Sequence, residues 1–215
     1  MKKNKVVFSG IDGCGKSTQI NLLVSHFQAQ HIKYKVIWVR PGSTTFILFV
    51  KSVARILFRS LPKPGRSNKR EEILKKGNLG RLWFYLTLVD LAYIFFLKVP
   101  LLNLLGYKVV FDRHIFDALI DYQIMLDRDL FELHFVKLLL RSSSSITKIY
   151  LEIPIDISRS RCSQKWEPFP DTDDEKVQRY KIYRKHIDAL NYIQMNGLES
   201  PDLIHGKIAQ LLREN

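Results

Sequence analysis

The chain has 215 residues, 46% of them hydrophobic and 26% charged, which suits one α/β domain with a full core and excludes a disordered chain. Lysine and arginine outnumber aspartate and glutamate 34 to 21; the net charge of +13 favours anionic partners (nucleotides, nucleic acid or an acidic membrane surface) without choosing among them. Cys14 and Cys162 carry no metal-ligand or redox spacing and read as reduced thiols of a cytoplasmic protein, and the apolar run after the basic start is too short for an export signal.

In chain order, Lys5-Val6-Val7-Phe8-Ser9 is an apolar run stopped by Gly10 and reads as a buried strand. Ser17 to His31 carries Ile20, Leu22, Leu23 and Phe27 at helical spacing, and Lys35 to Arg40 is a second strand closed by Pro41-Gly42. Residues 44–60 read as a helix with Lys51, Arg55 and Arg59 on one face, a pattern that fits either a peripheral membrane contact or a core helix with a solvated basic stripe. The proline-rich stretch 61–68 reads as a surface loop.

From Leu82 to Leu105 the chain is almost entirely apolar, close to the roughly 20 residues that span a bilayer. Asp90 in mid-segment and Pro100 inside the run favour instead a buried core helix that starts near Gly77 and ends near Pro100. Tyr107 to Phe111 is a third strand, Phe116 to Leu140 is mainly helical, and Lys148 to Ile153 is a fourth strand closed by Pro154. Asp156 to Gln164 and Asp171 to Leu190 are helices, the second opened by a Thr172/Glu175 capping box. Tyr192 to Asn196 is a candidate fifth strand, and Ser200-Pro201 starts the last helix. This alternation predicts a single domain over residues 1–215, with a five-stranded parallel sheet and helices on both faces.

Gly10-Ile11-Asp12-Gly13-Cys14-Gly15-Lys16-Ser17 fits G-x4-G-K-[ST], a phosphate-binding loop, and lies between a predicted strand and a predicted helix. In this reading the backbone of Gly10, Asp12, Gly13, Cys14 and Gly15 curls so that its amides converge on the phosphates of ATP, at the positive end of the following helix. Lys16 reaches the β and γ phosphates, Ser17 holds Mg²⁺, and Thr18 contacts an inner phosphate. Asp12 either positions the acceptor or a metal-bound water, or caps the turn. Asp112 emerges at the carboxyl end of the third strand, where open α/β sheets bind ligands. Its carboxylate can complete the Mg²⁺ site that Ser17 begins; the alternative is a strand-ending turn with an ordinary salt bridge.

These pieces resemble the thymidylate kinase family of nucleoside monophosphate kinases. The resemblance rests on Phe8 to Gln19, on Arg40-Pro41-Gly42, on Asp112-Arg113-His114, and on Leu151 to Pro154 with Arg161 and Lys165 downstream. It implies a P-loop NTPase-type fold with a small lid near residues 157–175. Arg40, Asp112, Arg113 and His114 would then form the acceptor side, where Arg40 and Arg113 grip the acceptor's phosphate. Lys16, Asp12, Arg113 and the lid cations Arg161 and Lys165 would be catalytic, and the protein would work with ATP and Mg²⁺, as a homodimer in many relatives. Cations at the transferring group are what phosphoryl transfer requires.

The chain departs from that family in three places. Pro41 follows Arg40 directly where the family has a glutamate, Ser9 stands where its loop begins with a glutamate, and Leu91 falls where it reads thymine with an arginine. A leucine cannot make the forked hydrogen bonds of a guanidinium. The expected activity is ATP-dependent phosphoryl transfer to a nucleoside monophosphate, dTMP first. Two alternatives stay open: a sugar- or lipid-linked phosphorylated acceptor, and a non-catalytic ATP-binding switch. No aromatic-interleaved basic motif points to nucleic acid.

Overall fold

The computed structural model describes residues 4–39, 78–163 and 171–213. Five strands, β1 (Lys5–Ser9), β2 (Tyr34–Trp38), β3 (Lys108–Asp112), β4 (Thr147–Glu152) and β5 (Ile193–Asn196), pair in the order β2-β3-β1-β4-β5, all parallel. Each forms where a short apolar run is bounded by turn residues; β1 has the expected bounds, and the others differ from expectation by one or two positions at an end. Val6 to Phe8, Val109 to Phe111 and Ile149 to Leu151 are all buried, as expected for central strands covered on both faces.

The helices are α1 (Lys16–Ala29), α2 (Asn78–Tyr93), α3 (Val99–Leu104), α4 (Ile115–Leu126), α5 (His134–Ser142), α6 (Ile155–Ser163), α7 (Asp173–His186) and α8 (Pro201–Arg213). The β1-to-β2 connection moves across the sheet in one direction and the later ones in the other. Right-handed crossovers therefore place α1 on one face and α2 to α7 on the opposite face. Accordingly α1 packs on α8, whereas α4 packs on α2, α5 and α7. The result is an α/β fold consistent with a P-loop NTPase.

Three expectations need correction or limits. The apolar helix does not stop near Pro100: α2 continues through a π-helical turn, Ile94–Lys98, into α3. There the Val99 N–H reaches back five residues to the Ile94 carbonyl, and this widened turn accommodates a proline that has no N–H and would crowd an ordinary helix. Nor is this helix buried all round. Phe84, Leu88, Leu91, Ile94 and Phe95 face the core with Asp90, while Leu82, Tyr85, Val89, Leu97 and Leu101 are exposed. By length and composition alone, Gly80–Leu104 could cross a membrane.

The helix expected from Phe116 to Leu140 is two helices, because Asp127 ends α4 in the left-handed conformation (φ 48°), which aspartate tolerates better than most residues. The expected helix 44–60, the loop 61–68 and the Arg40-Pro41-Gly42 element lie outside the described residues.

Candidate active site

Parallel pairing brings the carboxyl ends of β1, β3 and β4 to one edge: Phe8 is in register with Asp112, and Ser9 with Tyr150. The chain crosses from β1 to α1 through a loop in which Gly10, Gly13 and Gly15 take φ values of 143°, 79° and 100°. Side-chain-bearing residues rarely adopt such values. Gly10 also has no room for a side chain, since a Cβ would lie 2.6 Å from the Leu151 carbonyl oxygen and 2.7 Å from Cys14 Sγ. A Cβ on Gly15, the residue that caps α1, would meet nothing within 4 Å. No side chain caps α1 and its first turn has no acid, so nothing in that turn offsets the positive end of the helix.

Lys16 lies over this loop, 8% exposed, and donates to the carbonyls of Gly10 and Ile11 at 2.9 Å each, with Asp12 Oδ1 4.0 Å away. Ser17 and Thr18 are exposed on the first turn of α1. Cys14 is buried with Sγ 3.6 Å from the Lys16 ammonium, and neither cysteine is in a disulfide. From the α6 side, Ser158 Oγ donates to the Asp12 carbonyl at 2.6 Å, and Arg161 Nη1 donates to the carbonyls of Gly13 (3.1 Å) and Gly197 (3.3 Å). Arg161 is therefore engaged with the loop backbone. Arg159, the other arginine of that helix, pairs with Asp173 at the surface. Lys165 and Arg40 lie outside the described residues.

Asp12 Oδ1 accepts from Arg113 Nη2 at 2.6 Å, so the loop acid meets the arginine that follows β3. Burial pushes the Asp12 carboxyl up, but the charges of Arg113, Lys16 and Arg179 and the Arg113 hydrogen bond outweigh it and hold the group below the usual carboxylate range. Asp112 goes the other way. Burial, joined by the charges of Asp117 and Asp12, raises its carboxyl against the pull of Lys16 and Arg113. Arg113 itself sits at φ 74°, and its N–H donates to the Phe8 carbonyl at 3.1 Å.

His114 is not brought to the substrate side. Its ring is 0% exposed, and Nδ1 accepts the Phe116 N–H at 3.4 Å as the cap of α4, with the Tyr192 hydroxyl 2.9 Å away. Burial, and then the charge of Lys148, lowers its pKa to about 3, so the ring stays neutral. The structure thus places His114, expected on the acceptor side, as the buried cap of α4. Leu91 lies in the hydrophobic core at 2% exposure and supplies no polar group.

Residues without a sequence motif complete the site's support. Asp117 is fully buried; its Oδ2 accepts from Ser9 Oγ at 2.6 Å and from the His114 N–H at 2.8 Å, and its Oδ1 accepts from the Tyr183 hydroxyl. Arg179, also buried, is held by Asp171 at 2.8 Å and Asp121 at 2.6 Å. The one available hint was the capping-box spacing of His114 and Asp117 at the start of α4.

A thymidylate kinase of Fervidobacterium nodosum is 60% identical to this chain over 40 residues, which are 18% of the chain and 19% of that protein. No family model matches. The short similarity to a kinase, together with the parallel α/β sheet, suggests a nucleotide-binding kinase.

Proposed function

We propose that this chain transfers the γ-phosphoryl group of ATP to the phosphate of a nucleoside monophosphate, with dTMP as the first candidate acceptor. The observation that carries the reading is the contact between the loop and the strand-end arginine. Asp12 joins Lys16 on the donor side to Arg113 on the acceptor side within one largely buried cluster. Two cations meeting at the edge where the strands end suit a reaction whose transition state spreads negative charge over the transferring group.

Within this reading the loop amides and the start of α1 bind the donor phosphates. Lys16 exchanges its two carbonyl partners for phosphate oxygens. Arg113, partly buried and aligned by Asp12, holds the acceptor's phosphate in line. Ser17 and Asp112 are hard oxygen donors at the same edge and fit Mg²⁺, which accepts one or two protein ligands beside water and phosphate; bound there, the ion would offset charge on the β and γ phosphates. Among the described residues no group of three or more His, Cys, Asp or Glu side chains forms a competing metal cluster.

The apolar burial of Leu91 and the exposed apolar side of α2 and α3 favour a second reading in which the phosphorylated acceptor is lipid-linked. Transfer of labelled phosphate from Mg·ATP to a panel of nucleoside monophosphates, sugar phosphates and lipid phosphates separates the two. The nucleotide reading predicts a labelled nucleoside diphosphate and loss of transfer in Lys16→Ala. Slow ATP hydrolysis with no labelled acceptor, or an unchanged rate in that variant, would defeat it.

A further inference from the structure

Asp117 receives three donors, and each comes from a different part of the site. Ser9 is the last residue of β1, immediately before the loop. Tyr183, on α7, donates to the carboxylate and in turn accepts the Gly10 N–H, the first amide of the loop, at 3.3 Å. The third donor is the His114 N–H, next in the chain to Arg113. Tyr192 braces the group from the side, its hydroxyl 3.3 Å from Ser9 Oγ and 2.9 Å from His114 Nδ1. Three donors thus converge on the two carboxyl oxygens, and among the described residues no lysine or arginine lies within ion-pair distance of them.

The two backbone segments gathered here do not hold their shape by local preference. Gly10 sits at φ 143° and Arg113 at φ 74°, the latter rare for a residue with a side chain. Neighbours must hold both, and Asp117 reaches both.

We infer that Asp117 is a positioning residue that fixes the phosphate-binding loop and the Arg113 turn relative to each other, acting through Tyr183 and Ser9 on one side and the His114 amide on the other. This rests on the phosphotransfer reading above. It explains why a carboxylate lies in this apolar interior: no apolar side chain could accept from strand, turn and helix at once. Removing one donor at a time should therefore loosen one arm, whereas altering the carboxylate should loosen both.

The test uses the full chain and the variants Tyr183→Phe, Ser9→Ala and Asp117→Asn. Mg·ADP binding is measured by calorimetry, KM for ATP and for the nucleoside monophosphate that the wild type phosphorylates is measured separately, and the urea midpoint of each variant serves as a control. Tyr183→Phe, which frees only the loop arm, should weaken Mg·ADP binding and raise the ATP KM by about tenfold, with the acceptor KM within about twofold. Ser9→Ala should follow in the same direction with a smaller change. Asp117→Asn places an N–H₂ group against donors and should raise both KM values and lower kcat.

Loss of stability alone, with both KM values unchanged in folded material, would overturn the inference; so would equal shifts of both KM values in Tyr183→Phe. Wild-type protein that takes up no Mg·ADP would remove the phosphotransfer reading and this inference with it. Normal wild-type uptake with unaffected variants would remove the inference alone.

Discussion

The loop glycines make separable demands, and alanine at Gly10 and at Gly15 should tell them apart. At Gly10 (φ 143°) a methyl group would sit 2.6 Å from the Leu151 carbonyl oxygen, part of a central strand, and 2.7 Å from Cys14 Sγ. Backbone strain of about 1–3 kcal/mol adds to overpacking of about 1–3 kcal/mol, so Gly10→Ala should cost roughly 2–6 kcal/mol. That is a large part of the stability of an ordinary domain, about 5–15 kcal/mol. At Gly15 (φ 100°) the new methyl meets nothing within 4 Å, so only the strain of about 1–3 kcal/mol remains. The open space beside Gly15 is, however, where the donor phosphates are proposed to lie. Urea midpoints combined with calorimetric titration of Mg·ADP read both effects. Gly10→Ala should lose most stability, while Gly15→Ala should stay folded and lose nucleotide affinity. A Gly10→Ala protein within about 0.5 kcal/mol of wild type would refute the packing argument. Full Mg·ADP affinity in Gly15→Ala would refute the phosphate cradle.

Two further variants test the electrostatics. Because burial raises the Asp112 carboxyl, the folded protein holds that proton more firmly than the unfolded chain does, and its stability falls as pH rises through and above the ordinary carboxylate range. Asp112→Asn should therefore stabilise the ligand-free protein at pH 7, give no gain below about pH 4, and abolish Mg²⁺-dependent transfer; a urea-midpoint gain that persists in acid would contradict this. For His114 the folded pKa of about 3 lies below the ordinary 6.5, so stability is fully present above the unfolded value and is lost as pH falls from 6.5 towards about 3. The loss is on the order of 5 kcal/mol over the whole window. His114→Asn keeps a capping acceptor and should flatten the acid limb relative to wild type; an identical limb in both proteins would refute the buried neutral ring.

What was legible in the sequence was local. The strands announced themselves as short apolar runs bounded by turn residues, and the Gly10–Ser17 motif by its place between a strand and a helix. The continuation of α2 into α3 was not legible, because it depends on a widened turn ahead of Pro100 that periodicity does not encode. The half-exposure of that helix was hidden because both of its sides are apolar. The contacts that build the site were hidden by distance: Asp12 and Arg113 are 101 positions apart, and Ser9 and Asp117 are 108 apart. The surroundings of His114 were hidden for the opposite reason. It adjoins Arg113 in the chain, but the left-handed turn at Arg113 sends the two side chains to different places, one to Asp12 and one into the core.

The place of Arg161 gives it a use that does not need a moving cation. A trans peptide points its C=O and N–H in opposite directions. Ser158 holds the Asp12 carbonyl and Arg161 holds the Gly13 carbonyl, both from the α6 side. The N–H groups of Gly13 and Cys14, which share those two peptide planes, must then face away from α6 and into the loop. That of Cys14 does so, donating to the Ile11 carbonyl at 3.3 Å. The Lys16 ammonium engages the loop from within in the same way, on the carbonyls of Gly10 and Ile11. The Cys14 N–H and the Lys16 ammonium are thus engaged inside the loop while the Asp12 and Gly13 carbonyls are fixed from outside. In the proposed reading, an entering phosphate would replace these internal acceptors instead of reorganising the backbone, which would keep the ordering cost of binding low.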